Sequence, residues 1–588
     1  MNNELEALKG DKKLPLRVII KRTLEYIKPE KNSFILALLL VGINVFLDTI
    51  SPLFTSTVTD ELVKDNINIK LILGVCLLSF VIVCLNQLFL YFESMVLQKC
   101  GQRIIYRLRN QIFEHIENMS LNQFNEMPVG SLVTRVTSYT ANMSDLFTGV
   151  LVRILRDLVS IVGVYVVMVY ISPSLSLSML YVIILVFLIS FIFSRKVKKI
   201  FRKERACISD MNTYLSENLS GMKLTQVFNQ EETKVEEFEE KNDALRKQRF
   251  NVIKAFGIYR PTISLIYTVS IALCFYLGLY YKLTAGEIVA FYLYLSKFFN
   301  PVQNLADQLN SLQKAITASE RLFNLLDVKP DVLDKEDAIE IDKFKGDIEF
   351  KNVWFAYKDD NWILKDVSFK INAKQTCAFV GATGAGKTTI LSLIVRNYEV
   401  QKGEILIDGI NINDIKIESL RKAIGQMLQD VFLFSGTIKD NVTLKDDRFS
   451  IDEIDEACKY VNADSFINKL PNGLNEVIIE KGENLSQGQR QLLSFARTVI
   501  HKPQILILDE ATANIDTETE VLIQESLEKM KNIGTMLVVA HRLSTIQHAD
   551  KIIVLQNGQI IESGNHQELL KQKGYYYKLY QLQFKDNA

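Results

Sequence analysis

Gly381-Ala-Thr-Gly384-Ala-Gly386-Lys387-Thr388-Thr389 decides the fold of the second half of this chain. An apolar run, 377–380, precedes it and another, 390–394, follows it, so the pattern predicts a strand, a glycine-rich turn and a helix. In that context the spacing G-x-x-x-x-G-K-[ST] predicts a phosphate-binding loop, because backbone N–H groups and the positive end of a helix dipole converge on the turn. Lys387 is expected to reach the β- and γ-phosphates and Thr388 to ligate Mg²⁺. Glycine-rich turns without ligands exist, but Lys and Thr in register make that the weaker alternative.

Composition divides the chain into two halves. Its 588 residues are too many for one hydrophobic core, and 48% of them are apolar, crowded into the first 310 positions. The 68 basic and 68 acidic side chains cancel, which gives no argument for a nucleic-acid partner. Seven scattered cysteines without C-x-x-C spacing indicate neither a disulfide framework nor a zinc site. We therefore expect a membrane half followed by a soluble half.

Six apolar stretches have roughly the length needed to span a bilayer, on the order of 20 residues. They are Phe34–Phe54, Leu71–Phe92, a third that ends near Ile171, Leu175–Phe193, Phe256–Tyr280 and Glu287–Leu309. Lys and Arg cluster before the first stretch and after the second and fourth, which places both ends of the chain inside the cell. About 55 residues separate spans two and three, and a similar stretch separates four and five. The periodic pattern of both connections predicts helices that continue into the cytosol.

The second half reads as an α/β domain after a charged linker. We predict strands at Ile348–Val353, Thr376–Val380, Ile405–Ile407, Ile505–Leu508, Met536–Ala540 and Ile552–Leu555. The fully apolar run 505–508 is typical of a buried parallel strand, and it delivers Asp509 and Glu510 at its carboxyl end. Asp509 is expected to hold the Mg²⁺ shell and Glu510 to act as general base. Alone, such a pair could instead start a loop or cap a helix.

Ser486 and Gln489 have the spacing of a helix capping box. The pair could serve only to cap the helix. A serine hydroxyl and a glycine amide at a helix start, however, also form an anion site. Because the chain already has one phosphate loop, this second site is expected to serve the nucleotide of another subunit.

Together these motifs resemble an ATP-binding cassette exporter half-transporter of the multidrug type, over essentially all 588 residues. The resemblance implies a type IV exporter fold: a membrane α-helical bundle of six transmembrane helices fused to an α/β P-loop ATPase domain. It implies a cytosolic lead-in at 1–32, a transmembrane domain at 33–326, a linker at 327–345 and a nucleotide-binding domain at 346–588. Pro128–Arg135 and Leu215–Gly221 resemble segments that flank the family's two cytosolic coupling helices.

The family's functional residues carry over onto matching positions. The catalytic set implied in this way is Glu510, His541, Lys387 and Gln429. The nucleotide-binding set is Tyr357, Gly381, Thr383, Gly384, Gly386, Lys387, Thr388, Thr389, Ser486, Gly488, Gln489 and Asp516. The Mg²⁺ set is Thr388, Gln429 and Asp509.

Each of these roles has an alternative. Tyr357 matches the aromatic residue that stacks on adenine, but it could be an ordinary core or surface residue. Gln426 is a rival for the glutamine role given to Gln429. A lone histidine such as His541 would more often be structural.

By the same resemblance two chains sandwich two ATP molecules, so a second half-transporter is the expected partner. The expected location is the cell membrane, and the expected source is a bacterium. One departure bears on that partner: Gln487 stands where the family signature usually has Gly, whereas Glu510 and His541 are intact. This combination favours a heterodimer with one competent site, although the change is also tolerable in symmetric members. The expected function is export of hydrophobic or amphiphilic small molecules; the alternatives are a homodimeric lipid flippase and, less favoured, an ATP-dependent sensor.

Cargo contacts are less readable from the sequence. The aromatic candidates on the sixth span are Phe291, Tyr292, Tyr294, Phe298 and Phe299, for each of which ordinary helix packing is an equal alternative. Charged residues near membrane depth are costly and therefore candidates for function, namely Asp48, Arg153, Arg156, Asp157 and Arg260.

Overall fold

The computed structural model describes residues 14–358, 361–427, 431–509, 517–539 and 546–584. The chain divides into two compact units. The first comprises Met1–Glu117 and Met127–Val328, and the second comprises Asn118–Glu126 and Lys329–Ala588. The short segment 118–126 thus belongs to the second unit although the chain on both sides of it belongs to the first, which the sequence did not predict.

Helices make up the first unit. In chain order they are α1 (Leu16–Glu25), α2 (Lys31–Leu62), α3 (Ile69–Glu117), then α4 (Leu121–Asn125) in the second unit, α5 (Val129–Thr134), α6 (Thr140–Asp145), α7 (Leu151–Ile171), α8 (Pro173–Ser220), α9 (Met222–Val227), α10 (Glu231–Tyr280) and α11 (Ala285–Leu326). Two π-helical turns, Arg135–Tyr139 and Leu146–Val150, join α5, α6 and α7 into a continuous rod. The short helices α4 and α9 lie beside the two segments that resemble flanks of coupling helices.

Every predicted span lies within one of the long helices. Five segments are long and apolar enough to cross a membrane: Lys28–Leu62, Ile69–Glu117, Val129–Ile171, Pro173–Ser220 and Glu231–Tyr280. The sixth predicted span lies in α11, which is 42 residues long but interrupted by Lys297, Asn300 and Asn304. Those polar residues interrupt the apolar run of the sixth span.

The long helices extend past the bilayer, as their sequence pattern predicts. α3, α8 and α10 contain 49, 48 and 50 residues. At 1.5 Å per residue each is roughly 70–75 Å long, more than twice the ~30 Å hydrocarbon core. Each helix satisfies its own backbone hydrogen bonds, so it can pass from lipid into water without interruption.

An apolar stripe on α3 indicates where lipid contacts the bundle. Leu73, Leu77 and Phe80 are 64, 69 and 70% exposed, and their spacing places them on one helix face. In water so much exposed apolar area would be unfavourable, whereas in a bilayer it contacts acyl chains at no cost.

The second unit contains three sheets. Its strands are β1 (Ile348–Ala356), β2 (Trp362–Ile371), β3 (Thr376–Val380), β4 (Lys402–Ile407), β5 (Ile410–Asn411), β6 (Ile424–Met427), β7 (Gly436–Thr437), β8 (Val477–Ile478), β9 (Ile505–Asp509), β10 (Thr535–Val539), β11 (Lys551–Gln556) and β12 (Gln559–Gly564). The main sheet has the order β12-β11-β3-β10-β9-β6, and an antiparallel sheet has the order β2-β1-β4-β5. The strands β7 and β8 form a small antiparallel pair.

The second unit also contains helices besides α4. They are α12 (Lys387–Ile394), α13 (Ile417–Ala423), α14 (Ile438–Thr443), α15 (Ile451–Tyr460), α16 (Asp464–Ile467), α17 (Gln487–Ile500), α18 (Thr517–Met530), α19 (His566–Gln572) and α20 (Tyr575–Phe584). Two clusters of buried apolar residues, one on each face of the main sheet, form the core. The strands β3 and β10 are buried along their whole length, which explains why their sequences are apolar without alternation.

Parallel pairing positions the functional loops. β10 lies between β3 and β9, parallel to both, and β6 pairs in parallel with the other side of β9. The carboxyl ends of these four strands therefore meet at one edge, where open α/β sheets bind ligands.

All six predicted strands are confirmed to within a few residues. The sequence analysis did not predict the other six described strands, which are β2, β5, β6, β7, β8 and β12. β2 is missed because its Lys and Asp residues interrupt the apolar run, although its inward positions Leu364 and Val367 are fully buried.

We predict that Ile507→Ala lowers the free energy of unfolding of the second unit by about 2–5 kcal/mol, because it leaves a cavity in the centre of the main sheet. Ile507 is 0% exposed on β9. Thermal unfolding followed by tryptophan fluorescence measures this, since the two tryptophans, Trp354 and Trp362, both lie in the second unit. The matched control is Ile451→Ala at a site 64% exposed, expected to change stability by less than about 0.5 kcal/mol. Equal midpoints for the two variants would contradict the core assignment.

Candidate functional site

The glycine-rich turn sits between β3 and α12, as predicted. Gly386 has φ +102°, and a Cβ there would lie 2.6 Å from Cδ2 of Leu364, so only glycine fits without strain. A Cβ on Gly381 would lie 2.3 Å from the backbone oxygen of Leu555. Gly384 also has a positive φ, +82°, but its surroundings are open on the side where a ligand would approach. The turn is therefore a tight backbone cradle that leaves room for phosphate oxygens.

Lys387 lies in this cradle and is only 8% exposed. Its ammonium donates hydrogen bonds to the backbone oxygens of Gly381 at 2.8 Å and Ala382 at 3.0 Å. Burial lowers the pKa of Lys387, and the nearby Asp509 carboxylate opposes that shift. Among the described residues, the hydrogen bonds of this buried cation go to carbonyl oxygens. Such a cation strongly attracts an anion, because phosphate oxygens would restore the solvation it has lost.

Thr388 and Asp509 come together across the sheet edge. The Thr388 hydroxyl donates to a carboxylate oxygen of Asp509 at 3.3 Å. Within the described residues no cluster of three or more His, Cys, Asp or Glu side chains could hold a metal. A hydroxyl and one carboxylate nevertheless fit Mg²⁺, which prefers oxygen ligands and commonly completes its shell with water and substrate phosphates. The donor set therefore suits the predicted ion.

Tyr357 follows β1 and reaches the phosphate-loop helix. Its hydroxyl lies 3.0 Å from the hydroxyl of Thr389, and its ring packs edge-on against Phe355 and Tyr398. The side chain is 39% exposed. It is thus neither a core residue nor an unattached surface residue, and an aromatic ring fixed in this way beside the cradle can stack on a base.

The predicted capping box at the start of α17 is confirmed. The Ser486 hydroxyl accepts from the Gln489 backbone N–H at 3.2 Å, and the Gln489 side chain accepts from the Ser486 N–H at 2.9 Å. The Ser486 side chain is exposed, and Gly488 is buried beside it in the first turn. Gln487 is the first helical residue, exposed and with ordinary φ, so the glutamine is accommodated without strain.

Four predicted site residues lie outside the described residues: Gln429, Glu510, Asp516 and His541. Three of them follow strands whose ends are placed. Gln429 comes two residues after β6, Glu510 directly after β9 and His541 two residues after β10. All three strands end at the edge that carries the phosphate loop.

The sequence analysis missed the contacts that hold α4 in the second unit. Gln123 is 4% exposed, and its amide donates to the backbone oxygen of Lys329 at 2.7 Å and to Asp331 at 2.8 Å. Glu126 forms an ion pair with Lys358 at 3.5 Å. The capping box at Ser120 and Gln123 was the sequence signal that could have identified this helix.

In the first unit, four of the five aromatic candidates for cargo contact are core residues. Phe291, Tyr294, Phe298 and Phe299 are at most 2% exposed, and the Tyr294 hydroxyl donates to the backbone oxygen of Thr49 at 2.7 Å. Tyr292 is 38% exposed. Ordinary helix packing is therefore the better interpretation for the four buried rings.

Polar pairs occur inside the helical bundle instead. Lys297 pairs with Asp48 at 2.5 Å, and Arg156 pairs with Glu93, which is 1% exposed. The sequence analysis had noted Asp48 and Arg156 but neither partner. Lys297, Asn300 and Asn304 recur at helical spacing, and this polar stripe was the available signal.

Comparisons with known proteins agree with this arrangement. The family described as ABC transporter transmembrane region matches residues 34–302, and the family described as ABC transporter matches residues 364–513. The chain is 37% identical to the probable multidrug resistance ABC transporter ATP-binding/permease protein YheH of Bacillus subtilis, over 87% of this chain and 77% of that protein. It is 33% identical to the ATP-dependent lipid A-core flippase of Syntrophus aciditrophicus, over 97% and 95% of the two chains.

The fold comparison covers almost the whole chain. A solved structure of a bacterial Atm1-family ABC exporter with ATP bound superposes with a TM-score of 0.79, at 26% identity, over 96% of this chain and 99% of that one.

We predict that Thr388→Val weakens binding of Mg²⁺–ATP about tenfold or more, because the valine keeps the shape of threonine and removes one metal-ligating oxygen. In EDTA the variant and the wild type should bind ATP equally, since the hydroxyl acts through the ion. Isothermal titration with and without Mg²⁺ measures both. Ser392→Ala, one turn further along α12, is the control that removes a hydroxyl away from Asp509. An equal loss of affinity with and without Mg²⁺ would contradict the metal role.

Proposed function

This chain belongs to the ATP-binding cassette (ABC) exporter family, and from that premise we propose that it is the catalytically intact subunit of a heterodimeric exporter of hydrophobic or amphiphilic small molecules. As a member of the family it is a multi-pass membrane protein that couples ATP hydrolysis in a cytoplasmic domain to transport. The finer proposal concerns the cargo, the partner and the residues that act. The observation that carries it is the Thr388–Asp509 contact beside Lys387, in a chain whose other unit is a bundle of apolar helices.

The site residues that we propose divide by role. Tyr357 stacks on the adenine, and the loop from Gly381 to Thr389 holds the phosphates. Lys387 exchanges its bonds to loop carbonyls for bonds to phosphate oxygens, which removes the cost of its burial. Mg²⁺ between Thr388 and Asp509 would neutralise phosphate charge. Glu510 accepts the proton of the attacking water, and Gln429 and His541 contact the metal shell and the γ-phosphate.

Dimerisation supplies the remaining half of each site. We propose that Ser486, Gly488 and Gln489 present the first turn of α17 to the nucleotide held by the partner, with Asp516 nearby. The first N–H groups of a helix have no partner within it, and the positive dipole end favours an anion. ATP then favours the closed dimer because it contacts both faces there and only one face when the domains are apart.

Transport requires that closure of the ATPase domains change the arrangement of the membrane helices. We propose that residues 33–326 form the transmembrane domain, that 327–345 form a linker, and that 346–588 close around the nucleotide. Helix α4 offers a route, because it belongs to the second unit while the chain on either side of it continues into α3 and α5. The buried amide of Gln123 and the Glu126–Lys358 pair hold it there. Movement of the ATPase domain would therefore be transmitted to two membrane helices at once.

A homodimeric lipid flippase is the second candidate. It is supported by the 33% identity to a protein named as a lipid A-core flippase, over nearly the full length of both chains. The tolerant position of Gln487, exposed and unstrained at the helix start, is also compatible with a symmetric dimer.

We predict that Glu510→Gln leaves ATP binding intact and lowers hydrolysis at least about a hundredfold, because the amide cannot accept the proton of the attacking water. Phosphate release by the purified transporter, with ATP affinity measured in parallel, tests this. Glu518→Gln is the control, since it makes the same chemical change at an exposed residue in the first turn of α18. Normal turnover in Glu510→Gln would exclude the general-base role.

We predict that the chain purified alone hydrolyses ATP poorly or does not form a stable dimer. Co-expression with a half-transporter that has a Leu-Ser-Gly-Gly-Gln signature, but lacks Glu at the general-base position, should restore both. Oligomeric mass and hydrolysis in the same preparation measure this. A stable and active dimer of this chain alone would refute the heterodimer, and stimulation of that dimer by a purified lipid would favour the flippase.

A further inference from the structure

A polar cavity inside the helical bundle is the feature that the ATPase cycle leaves unexplained. Its volume is about 370 Å³, within the range of small-molecule sites, and it lies among helices α2, α3, α7 and α11. The charged residues in its lining are Asp48, Arg156, Asp157 and Lys297. Val45, Leu90 and Pro301 provide apolar wall on the same cavity.

These charges lie at membrane depth. Asp48 and Asp157 are each 14 residues from the ends of α2 and α7 at Leu62 and Ile171. At 1.5 Å per residue this is about 21 Å below the outer ends of the helices, well inside a hydrocarbon core of ~30 Å. Ionisable groups at that depth are expensive and are retained where they serve binding or transport.

Four of the charges in and beside the cavity neutralise one another. Lys297 forms an ion pair with Asp48 at 2.5 Å. Arg156 forms an ion pair with Glu93, which is 1% exposed and also accepts from the Asn44 amide at 2.6 Å. Two cations and two carboxylates are thereby accounted for.

Asp157 is a fifth charge, and none of the ion pairs among the described residues includes it. Its carboxylate accepts a hydrogen bond from the Gln308 amide at 2.5 Å, a neutral donor. Within the described part of the chain no Lys, Arg or His nitrogen forms an ion pair with it, and residues 302–310 of α11 contain no basic residue. Arg153, one turn earlier on α7, is directed away: its Nη2 would lie 3.0 Å from a Cβ on Gly149.

A second observation indicates that the cavity receives a ligand. Asn44 lines the cavity and is 6% exposed, yet its Oδ1 accepts no hydrogen bond from any described residue. A buried acceptor of this kind costs free energy unless a ligand or water satisfies it.

We infer that this cavity binds an organic cation with apolar substituents, and that Asp157 is the counter-charge that selects it. The inference rests on the proposed export function and names its cargo class. The lining has two carboxylates and two cations, but Glu93 behind it neutralises Arg156. Glu93 and the lining together therefore carry one carboxylate more than they have cations, so a cationic cargo would neutralise the site and an anionic cargo would add repulsion. Its size and apolar wall suit an organic ion better than a metal ion, which would need several converging oxygen ligands.

Equilibrium binding of tetraphenylphosphonium and tetraphenylborate tests the inference, because the two ions are closely matched in shape and opposite in charge. The full-length transporter, in the dimer it forms, is studied in detergent without nucleotide. The wild type should bind the cation more tightly than the anion. Asp157→Asn should weaken cation binding about tenfold or more, while binding of the anion is unchanged or improved.

Two further variants serve as controls. Asp157→Glu should keep the preference for the cation, and Asp145→Asn, the same chemical change at an exposed residue of α6 outside the cavity lining, should leave both affinities unchanged. Equal binding of the two ions by the wild type, tighter binding of the anion, or equal loss of both in Asp157→Asn would overturn the inference. If Asp157→Asn does not fold, the wild-type preference and Asp157→Glu decide.

Failure of this inference can be distinguished from failure of the proposed function. Binding is measured without ATP, whereas export is measured as ATP-dependent uptake into inverted vesicles. A transporter that exports neutral amphiphiles but shows no preference for the cation contradicts only the role of Asp157. A transporter that exports no amphiphile at all contradicts the proposed function.

Discussion

Parallel pairing of β3, β10, β9 and β6 is the constraint on which the ATPase half depends. In a parallel sheet every strand delivers its following loop to the same edge. The hydroxyl of Thr388 and the carboxylate of Asp509 are 121 residues apart in sequence, and they meet at 3.3 Å because one strand lies between their own. β3 and β10 are buried along their whole length, so the strands that end at this edge are anchored in the core.

A second constraint governs the membrane half. A chain in lipid must satisfy its backbone hydrogen bonds internally, which favours long uninterrupted helices. Here the same helices run far past the bilayer, and the chain between α3 and α5 becomes part of the other unit. The capping box at Ser120, together with the buried amide of Gln123, makes α4 a fixed element of the ATPase unit.

Electrostatics inside the bundle follows from the cost of charge in a low-dielectric medium. Lys297 with Asp48, and Arg156 with Glu93, lower that cost by pairing across helices. The Asp157 carboxylate instead accepts a hydrogen bond from the neutral amide of Gln308. The polar stripe on α11 therefore explains why a polar cavity exists in an otherwise apolar bundle.

The sequence by itself determined the elements whose signal is local. Apolar length identified the spanning helices, and apolar runs identified the six predicted strands. The glycine spacing identified the cradle around Lys387, and the spacing of Ser486 and Gln489 identified the cap of α17. These succeed because helices, turns and buried strands each depend on residues within a few positions of one another.

Only the tertiary structure decided what depends on distant pairs. The order of strands brings Thr388 to Asp509, and no local pattern encodes that order. The burial of Phe291 and Tyr294 favours helix packing over cargo contact, and the partners Lys297 and Glu93 show which membrane charges are neutralised. The assignment of 118–126 to the ATPase unit likewise depends on Lys329, Asp331 and Lys358, more than 200 residues away. Packing and charge compensation depend on residues that are neighbours in space. The sequence therefore identified individual helices, strands and motifs, whereas the tertiary structure decided which of their residues are in contact.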